Sequence, residues 1–402
     1  MTSRLARLKA NELLDRHAQR GKVGRSQVAH ALSEYYAEGV PDHSAYRARC
    51  GGREIATSIV TRRDWLDLAC PLTPDNERLT LVDSSHGGVA PEDLDTKNAI
   101  RRLAEAAVSD VRVANVPLYR LLDIDARRGA ITGTVGLVPF MEYALTMDLL
   151  EGELIDAIAG TNTIRPGGLP LRDKYLPDLG SVVDFSGRLC AGGALALCAI
   201  ARPSDPYRGD ADYALLVQER SGRVLNAARR LAVIPKAFHQ PLKDHRADAR
   251  IGATLRREME EELFGRREVD STVDENRVAA PMHRNRLSEP MRWLTEGSDR
   301  LRMECTGFGL NMVSGNYEFA SLISIEDEDF WARYGGEIEA NWESAGLRIY
   351  STLDTELITE LASDESWSNE GIFGLLQGLR RLRELGGERV NLPAIEHTCR
   401  SW

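Results

Sequence analysis

Four glutamates and two arginines are concentrated in residues 252–265, GATLRREMEEELFG. On a helix, Glu258, Glu261 and Glu262 would project from one face, because positions i, i+3 and i+4 are neighbours there. Carboxylates placed this way repel one another unless a cation neutralises them. Their oxygens suit Mg²⁺ or Mn²⁺, and such an ion polarises a phosphoryl oxygen and activates a bound water. The spacing therefore predicts a metal site that promotes attack of water on a phosphoanhydride.

The same segment has a second interpretation that needs no metal. Glu-rich helices are common on protein surfaces, where i,i+4 pairs with Arg256 or Arg257 would hold them in place. Arg257 also lies four residues before Glu261, so it is a candidate to brace that carboxylate. Spacing alone leaves both interpretations open.

Two residues in the loop before this segment are further candidates for ligand chemistry. His239, in KAFHQPLKDH, is near enough in sequence to reach a substrate phosphate or to serve as a base. Lys236 would bind a phosphate as a point charge. For each residue the alternative is an ordinary loop side chain with no functional duty.

The elements that must position these residues begin with a helical region. Residues 3–38 are predicted to form two short helices across a glycine-containing turn, with Ser26 as the N-cap of the second. This region is either a helix-turn-helix or a helical hairpin that packs on the main domain. The strand REIATSIVT follows, then a helix over 93–110 and two strands joined by the Arg-Arg-Gly turn at 127–129.

The middle of the chain contains the expected domain boundary. A helix over 141–160 is predicted to end at Gly160, and residues 161–180 are rich in Pro and Gly, which is typical of a linker. Beyond it, GGALALCAIARP is an apolar run of strand length. Near the end of the chain, residues 368–387 predict an amphipathic helix capped by Ser368.

Composition limits the class of protein. The net charge of -10 argues against a protein that coats nucleic acid, since phosphate binding draws on clustered Lys and Arg. The six cysteines are scattered without zinc spacing and are expected to be reduced. No segment approaches the length of apolar sequence needed to span a bilayer, so a cytoplasmic, non-membrane protein is expected. The excess of Arg over Lys indicates a GC-rich, bacterial genome.

Residues 257–262, Arg-Glu-Met-Glu-Glu-Glu, match the R-E-U-x-E-E core of the Nudix box, where U is a bulky aliphatic residue. We call these residues the box segment. They follow LAVIPKAFHQP, which looks like the strand and P-G-G-type turn that precede the box. The C-terminal half, roughly residues 185–395, therefore resembles a Nudix hydrolase domain.

The resemblance implies an αβα sandwich with a mixed sheet that hydrolyses a nucleoside diphosphate linked to another group. It assigns Mg²⁺ or Mn²⁺ to Glu258, Glu261 and Glu262, with Arg257 as the bracing residue. Glu258, Glu261, Arg257 and His239 are then the expected catalytic residues. Family members also take a base or an extra ligand from a later loop, for which Glu318 is a loose candidate.

The sequence departs from the family pattern around the box. Lys243 and Ala249 stand where the family has a Gly and a Glu. Phe264 replaces a later Gly, with Gly265 one position late, and Lys236 replaces the first Gly of the P-G-G turn. These departures favour an alternative in which the domain is catalytically weak or inactive.

The sequence as a whole predicts an α/β protein with two parts. Residues 1–180 form an N-terminal α+β region, with the helical hairpin at 3–38, and residues 181–402 form a Nudix-like domain. The leading hypothesis is Mg²⁺-dependent hydrolysis of a nucleotide-type phosphoanhydride. The alternatives are a nucleotide sensor or transcriptional regulator, and an interaction protein without a small-molecule site. The expected partner is a nucleotide-like small molecule; nucleic acid is less favoured, and a second copy of the chain is left open.

Overall fold

The computed structural model describes residues 12–13, 15–16, 18–83, 94–108, 110–111, 113–160, 164–224, 227–266, 280–338 and 344–398. Its strands are β1 Ser44–Cys50, β2 Arg53–Thr61, β3 Leu66–Pro71, β4 Glu77–Leu81, β5 Pro117–Arg127, β6 Ala130–Pro139, β7 Gly192–Arg202, β8 Asp212–Arg220, β9 Leu231–Val233, β10 Lys236–Phe238, β11 Leu301–Asn311, β12 Asn316–Ile325, β13 Ser344–Ser351 and β14 Ile395–His397.

Helices lie between these strands along most of the chain. They are α1 Arg25–Tyr35, α2 Thr96–Val108, α3 Phe140–Ala144, α4 Leu149–Ala159, α5 Pro170–Tyr175, α6 Leu179–Val183, α7 Ile251–Glu258, α8 Glu289–Glu296, α9 Glu328–Tyr334, α10 Thr355–Ser363 and α11 Asn369–Leu385. The predicted class, a mixed α/β protein, is confirmed by this alternation.

The strands form two sheets. An 11-stranded sheet has the order β13-β8-β7-β12-β11-β2-β1-β14, with β9, β10 and β3 paired to β8, β7 and β11. It is mixed, because β7 pairs in parallel with β12 and antiparallel with β8. A separate sheet of three strands has the order β4-β6-β5.

Strand β7 is the centre of the large sheet. Every one of its residues is buried, as expected for a continuous apolar run covered on both faces. Its side chains alternate between two apolar clusters: Leu195 and Leu197 belong to the cluster of α11, and Ala194 and Ala196 to the cluster of α7. Helices therefore cover both faces of this strand.

Glycines let α11 lie close to β7. A Cβ atom at Gly374 would stand 2.8 Å from Leu195 Cδ1, and one at Gly378 would stand 2.7 Å from Leu197 Cβ. The N-terminus of α11 is capped by Ser368, whose hydroxyl accepts a hydrogen bond from Gly371 N at 3.1 Å. The predicted helix and its cap are confirmed.

The N-terminal half contributes strands to both sheets. β2 pairs with β11, and β1 pairs with β14, so the large sheet takes strands from both sides of residue 180. The β5–β6 pair joined by the Arg-Arg-Gly turn is confirmed and belongs to the small sheet. The division at residue 180 stays a prediction about which parts fold as units.

Two predicted helices differ in detail. The helix at Arg25–Tyr35 begins after Gly24, not Ser26: Gln27 Oε1 accepts a hydrogen bond from Gly24 N at 2.8 Å, and Ser26 lies inside the first turn, where its backbone N donates to Glu365. Its buried face packs against β2, and the preceding helix of the predicted hairpin lies partly outside the described residues. The helix predicted over 141–160 is broken between α3 and α4. At the break, the buried Asp148 carboxylate accepts a hydrogen bond from Arg102 Nε at 2.7 Å.

No helix in the described part of the chain combines the length and apolar character needed to cross a membrane.

Candidate functional site

The box segment lies at the end of α7, as the spacing predicted. α7 continues without a break into a wider π-helical turn over Met259–Leu263. Ile251, Leu255 and Met259 are fully buried and fix the helix against the sheet. The carboxylates of the box segment thus project from a rigid element.

The start of α7 is bound by a carboxylate from the other half of the chain. Gly252 N donates to the Glu77 carboxylate at 3.1 Å, across 175 residues of sequence. Burial raises the pKa of Glu77 to about 7, against the opposing Gly252 hydrogen bond and Arg256 charge. This carboxylate satisfies a backbone donor that the first turn leaves open. No sequence signal pointed to it, since no local motif links β4 to α7.

Glu258 is held by its neighbour. Arg257 donates to Glu258 Oε1 from Nε at 3.0 Å and from Nη2 at 2.7 Å, and both side chains are buried. Arg257 Nη1 also donates to the backbone oxygen of Gln240 at 3.1 Å. The ion pair therefore connects the box segment to the loop before it, and the Glu258 charge is already compensated.

Glu260, the variable position of the box segment, is fully buried. Its carboxylate accepts hydrogen bonds from Ser288 N at 3.0 Å and Ser288 Oγ at 3.1 Å, and pairs with Arg266 at 3.4 Å. Ser288 in turn caps α8. This glutamate therefore supports a neighbouring helix, a role that the sequence analysis missed.

Glu262 contacts the backbone of Lys236, in the turn before the loop that leads to α7. Its Oε2 accepts a hydrogen bond from Lys236 N at 2.7 Å, and its side chain is buried. Glu261 is half-buried. Within the residues that the structure describes, no three His, Cys, Asp or Glu side chains converge as a metal-binding group. Arg257 occupies one oxygen of Glu258 and Lys236 N one oxygen of Glu262, and the assignment of a shared Mg²⁺ or Mn²⁺ ion to the box carboxylates stays a prediction.

Lys236 directs its side chain into a cleft beside the box segment. Its ammonium pairs with Glu370 Oε1 at 2.5 Å, and Glu370 Oε2 accepts from Asn311 Nδ2 at 3.3 Å. We call this space the charged cleft, and we call Lys236, Asn311, Glu318, Glu370 and Glu151 its floor; Arg25, Arg220 and Arg230 also line it. It encloses about 100 Å³.

The three acids that line the charged cleft are outnumbered by four basic side chains, and burial shifts the pKa of each acid. Burial raises the pKa of Glu318 to about 8, and the Glu370 charge adds to this while Lys236 opposes it. Burial likewise raises the pKa of Glu151 to about 7, with the nearby Asp148 charge adding to the effect. Burial alone would also raise the pKa of Glu370, but the Lys236 ammonium lowers it below its ordinary value. One lysine therefore keeps one carboxylate ionised.

A second cavity of about 440 Å³ adjoins the charged cleft and shares Glu151, Ile155, Ala227 and Arg230 with it. We call it the Arg-rich cavity. Its walls include six basic side chains and three acidic ones: Arg20, Lys22, Arg101, Arg102, Arg229 and Arg230 against Glu105, Asp148 and Glu151. Arg20 and Arg102 are paired with acidic residues, whereas Lys22 and Arg229 lie exposed at the surface. The excess positive charge suits an anion.

His239 lies in an aromatic cluster below the sheet surface. Its Nδ1 is 3.0 Å from the Tyr317 hydroxyl, and its ring centroid is 4.4 Å from that of Tyr119. Burial lowers its pKa to about 3, so the ring is neutral near pH 7. It lines neither the charged cleft nor the Arg-rich cavity. These contacts describe a core histidine, and its catalytic role stays a prediction.

No protein-family profile matches this chain, and no curated protein resembles it at a significant level. The resemblance to Nudix hydrolases therefore rests on the residues of the box segment themselves. Glu151 and Glu370 were not found by sequence reasoning, because no motif surrounds either of them. Of the sequence candidates, Lys236 and Glu318 line the charged cleft, and Glu262 contacts the backbone of Lys236.

Proposed function

We propose that this protein binds a nucleotide-type phosphoanhydride in the charged cleft and the adjoining Arg-rich cavity, as a Nudix-like domain that senses the ligand. The observation that carries the proposal is the excess of basic side chains around two adjoining spaces, with buried acids of raised pKa in the inner one. Six basic and three acidic side chains line the Arg-rich cavity, and four basic and three acidic ones line the charged cleft, with Arg230 and Glu151 shared between them.

The two spaces offer complementary contacts to such a ligand. Lys22, Arg229 and Arg230 can donate charge-assisted hydrogen bonds to phosphate oxygens. On the floor of the charged cleft, Glu318 and Glu151 have pKa values raised to about 8 and about 7, so near pH 7 their protonated forms can donate to neutral polar groups. A ligand with an anionic end and a hydroxyl-rich or amide-rich end matches this arrangement.

Binding without turnover agrees with the contacts of the box segment. Glu258 is bound by Arg257 and Glu262 by the Lys236 backbone, so neither presents a bare carboxylate to the charged cleft. Lys236 supplies a fixed positive charge at the position where the family has glycine. The departures from the box pattern around Lys243 and Ala249 point in the same direction.

Mg²⁺-dependent hydrolysis is the second candidate function. It is favoured by the contact between Glu262 and Lys236 N, at 2.7 Å, which brings the end of the box segment next to the floor of the charged cleft. Rearrangement of this turn on ligand binding would bring Glu261 and Glu262 towards the bound phosphates.

Calorimetric titration tests the binding proposal. The full chain is titrated with ADP, a nucleoside diphosphate sugar and inorganic pyrophosphate, with EDTA present. We expect saturable binding that weakens as salt is added, and at least about tenfold weaker binding for Lys22→Ala/Arg229→Ala, because two charge-assisted contacts are lost. The matched control is Arg292→Ala, which removes an exposed arginine from α8. Affinity unchanged by the double variant would refute the proposed phosphate site.

Turnover is tested separately with the same compounds and Mg²⁺. The hydrolase candidate requires product formation that Glu261→Gln and Glu262→Gln both reduce. Turnover that survives both changes, or no turnover on the whole panel, eliminates that candidate and leaves the binding proposal standing.

A further inference from the structure

A third cavity encloses about 240 Å³ beside α7, among residues that line neither the charged cleft nor the Arg-rich cavity. We call it the helix cavity, because α7 and α8 both contribute to its walls. It is therefore a separate space from the proposed nucleotide site. The lining residues that decide its chemistry are three polar and three apolar ones: Arg250, Thr254, Arg256, Leu242, Leu287 and Met291.

Arginines give the helix cavity an excess of positive charge. Arg250, Arg256 and Arg257 line it, against the single carboxylate of Asp248 among the described lining residues. Arg257 is paired with Glu258, so its charge is already balanced. One oxygen of Asp248 accepts two backbone N–H hydrogen bonds, each at 2.9 Å. Arg250 and Arg256 are therefore the basic groups left to meet a ligand.

Arg250 and Arg256 are half-buried, and in the part of the chain that the structure describes neither has a carboxylate at ion-pair distance. Burial lowers the pKa of Arg256, and the Arg250 charge adds to this while the Glu77 carboxylate opposes it. Burial in turn raises the pKa of Glu77 to about 7, so near pH 7 this carboxylate compensates the two arginines only in part. Partly buried like charges of this kind favour a bound anion.

The Thr254 hydroxyl is a second, independent sign of a ligand. Thr254 lines the helix cavity and is 1% exposed, and its Oγ1 has no hydrogen-bond partner among the described residues. A threonine inside a helix often bonds to the carbonyl oxygen one turn back, and this one does not. A buried hydroxyl without a partner costs free energy, which an acceptor oxygen of a ligand would recover. Thr254 follows Arg250 by four residues, so both lie on one face of the helix.

The remaining lining is mostly apolar. Leu242, Leu287 and Met291 line the helix cavity, and Met291 is almost fully buried in the core. At about 240 Å³, the space is smaller than the clefts that usually bind drug-sized molecules. A ligand that fills it has a short apolar body next to its charged group.

We propose that the helix cavity binds a small amphipathic anion. Its carboxylate or phosphate group accepts charge-assisted hydrogen bonds from Arg250 and Arg256, and one more from the Thr254 hydroxyl. Its short apolar chain packs against Leu287 and Met291. This site is additional to the proposed nucleotide site and does not depend on it.

Calorimetric titration of the full chain tests the proposal with four probes: hexanoate, hexyl phosphate, inorganic phosphate and hexanol. We expect saturable binding of hexanoate, of hexyl phosphate or of both, which identifies the charged group. Hexanol lacks the charge and inorganic phosphate lacks the chain, so each should bind at least about tenfold more weakly.

Substitution of the two arginines locates the site. Arg256→Met and Arg250→Met should each weaken binding of the amphipathic anion about tenfold, because a charge-assisted hydrogen bond is lost. Each variant checks the other if one of them folds poorly. The matched control is Arg292→Met, at an exposed arginine of α8 that does not line the helix cavity.

Thr254→Val separates binding from folding. The change removes the hydroxyl and keeps the branched shape. The ligand-free variant should melt at a slightly higher temperature than the wild type, because a buried group without a partner is gone. Its affinity for the amphipathic anion should fall about threefold. A threonine with a purely structural role would not move these two quantities in opposite directions.

Three results would overturn the proposal. The first is a failure of both amphipathic anions to bind, and the second is an affinity that Arg250→Met and Arg256→Met leave unchanged. The third is a loss of affinity in Lys22→Ala/Arg229→Ala, because the anion would then lie in the Arg-rich cavity. Inorganic phosphate that binds as tightly as hexyl phosphate would exclude an amphipathic ligand.

Discussion

The box segment and the floor of the charged cleft are both rich in glutamate, but their carboxylates are in opposite situations. In the box segment, Glu258 is paired with Arg257, and Glu260 accepts hydrogen bonds from Ser288. On the floor, three carboxylates share one lysine, and burial raises the pKa of Glu318 to about 8.

The difference shows what spacing in sequence can and cannot reveal. Acidic residues at helical spacing are easy to see, yet the fold supplies most of them with partners that satisfy their charge. The acids on the floor of the charged cleft come from elements that are remote from one another in sequence. If this contrast is correct, substitutions in the box segment should lower the free energy of unfolding. Substitutions of the floor acids should raise it.

The largest effect is expected at Arg257. Arg257→Ala should lower the free energy of unfolding by about 3–5 kcal/mol, because it leaves the Glu258 carboxylate buried without its partner. Urea denaturation followed by circular dichroism measures this loss, with Arg292→Ala as the exposed control. Arg257→Leu/Glu258→Leu should recover most of the stability. A loss below about 1 kcal/mol for the single change would show that the pair is dispensable.

At Glu318, by contrast, substitution should raise the free energy of unfolding. Its folded-state pKa is about 8, against an ordinary value of 4.5, so the folded protein keeps a proton that the unfolded chain releases as the pH rises. Glu318 alone should therefore lower the stability of the wild type by about 1.4 kcal/mol per pH unit between about pH 4.5 and about pH 8, in addition to the contributions of Glu77 and Glu151. Glu318→Gln removes this loss, so its advantage over the wild type should be absent below about pH 4.5 and increase up to about pH 8.

Parallel urea titrations at about pH 5 and about pH 8 measure this effect. Glu54→Gln, at an exposed glutamate of β2, is the control and should show no such pH-dependent gain. An advantage of Glu318→Gln that is equal at both pH values would contradict the raised pKa.

A smaller loss is expected at Glu260. Glu260→Gln should cost about 1–3 kcal/mol, because the amide cannot accept both the Ser288 hydrogen bonds and the Arg266 pair as the carboxylate does. The measurement is thermal unfolding compared with that of Glu296→Gln, which lies on the exposed side of α8. Equal melting temperatures for the two variants would show that Glu260 does not support α8.

The smallest effect is expected at Glu261, the half-buried member of the box segment. Glu261→Gln should lower the free energy of unfolding by about 1 kcal/mol or less, because it removes a half-buried charge near Arg257, which Glu258 also balances. Glu262→Gln should cost more, because it weakens the hydrogen bond to Lys236 N. Chemical denaturation of the two variants side by side checks the difference. A larger cost at Glu261 than at Glu262 would reverse the order assigned to these two carboxylates.

Much of the fold was predictable because its signals are local. The apolar run of β7, the turn between β5 and β6, and the Ser368 cap of α11 each depend on neighbouring residues. The break in the helix over 141–160 was not predictable from local sequence. Asp148, which lies at the break, pairs with Arg102 of another helix, α2.

The candidate site was predictable only in part, for the same reason. Lys236 and Glu318 were chosen as candidates because of their types and positions, and both line the charged cleft. Glu370 and Glu151 gave no signal, since an acidic residue in a helix is ordinary until the fold shows what it faces. His239 was conspicuous in the sequence, but the aromatic rings around it became evident only in three dimensions.

The bond between Glu77 and Gly252 N has a consequence for how this sequence can change over time. The two residues are 175 positions apart, yet the Glu77 carboxylate binds a free backbone N–H in the first turn of the helix that contains Gly252. Any residue except proline would keep the backbone donor at 252, but a Cβ atom there would stand 2.8 Å from Glu77 Oε1. A crossover between related genes that joins Glu77 to a larger residue at 252 would therefore push the buried acid away from its donor. Such hybrids should therefore be rare unless both positions come from the same parent.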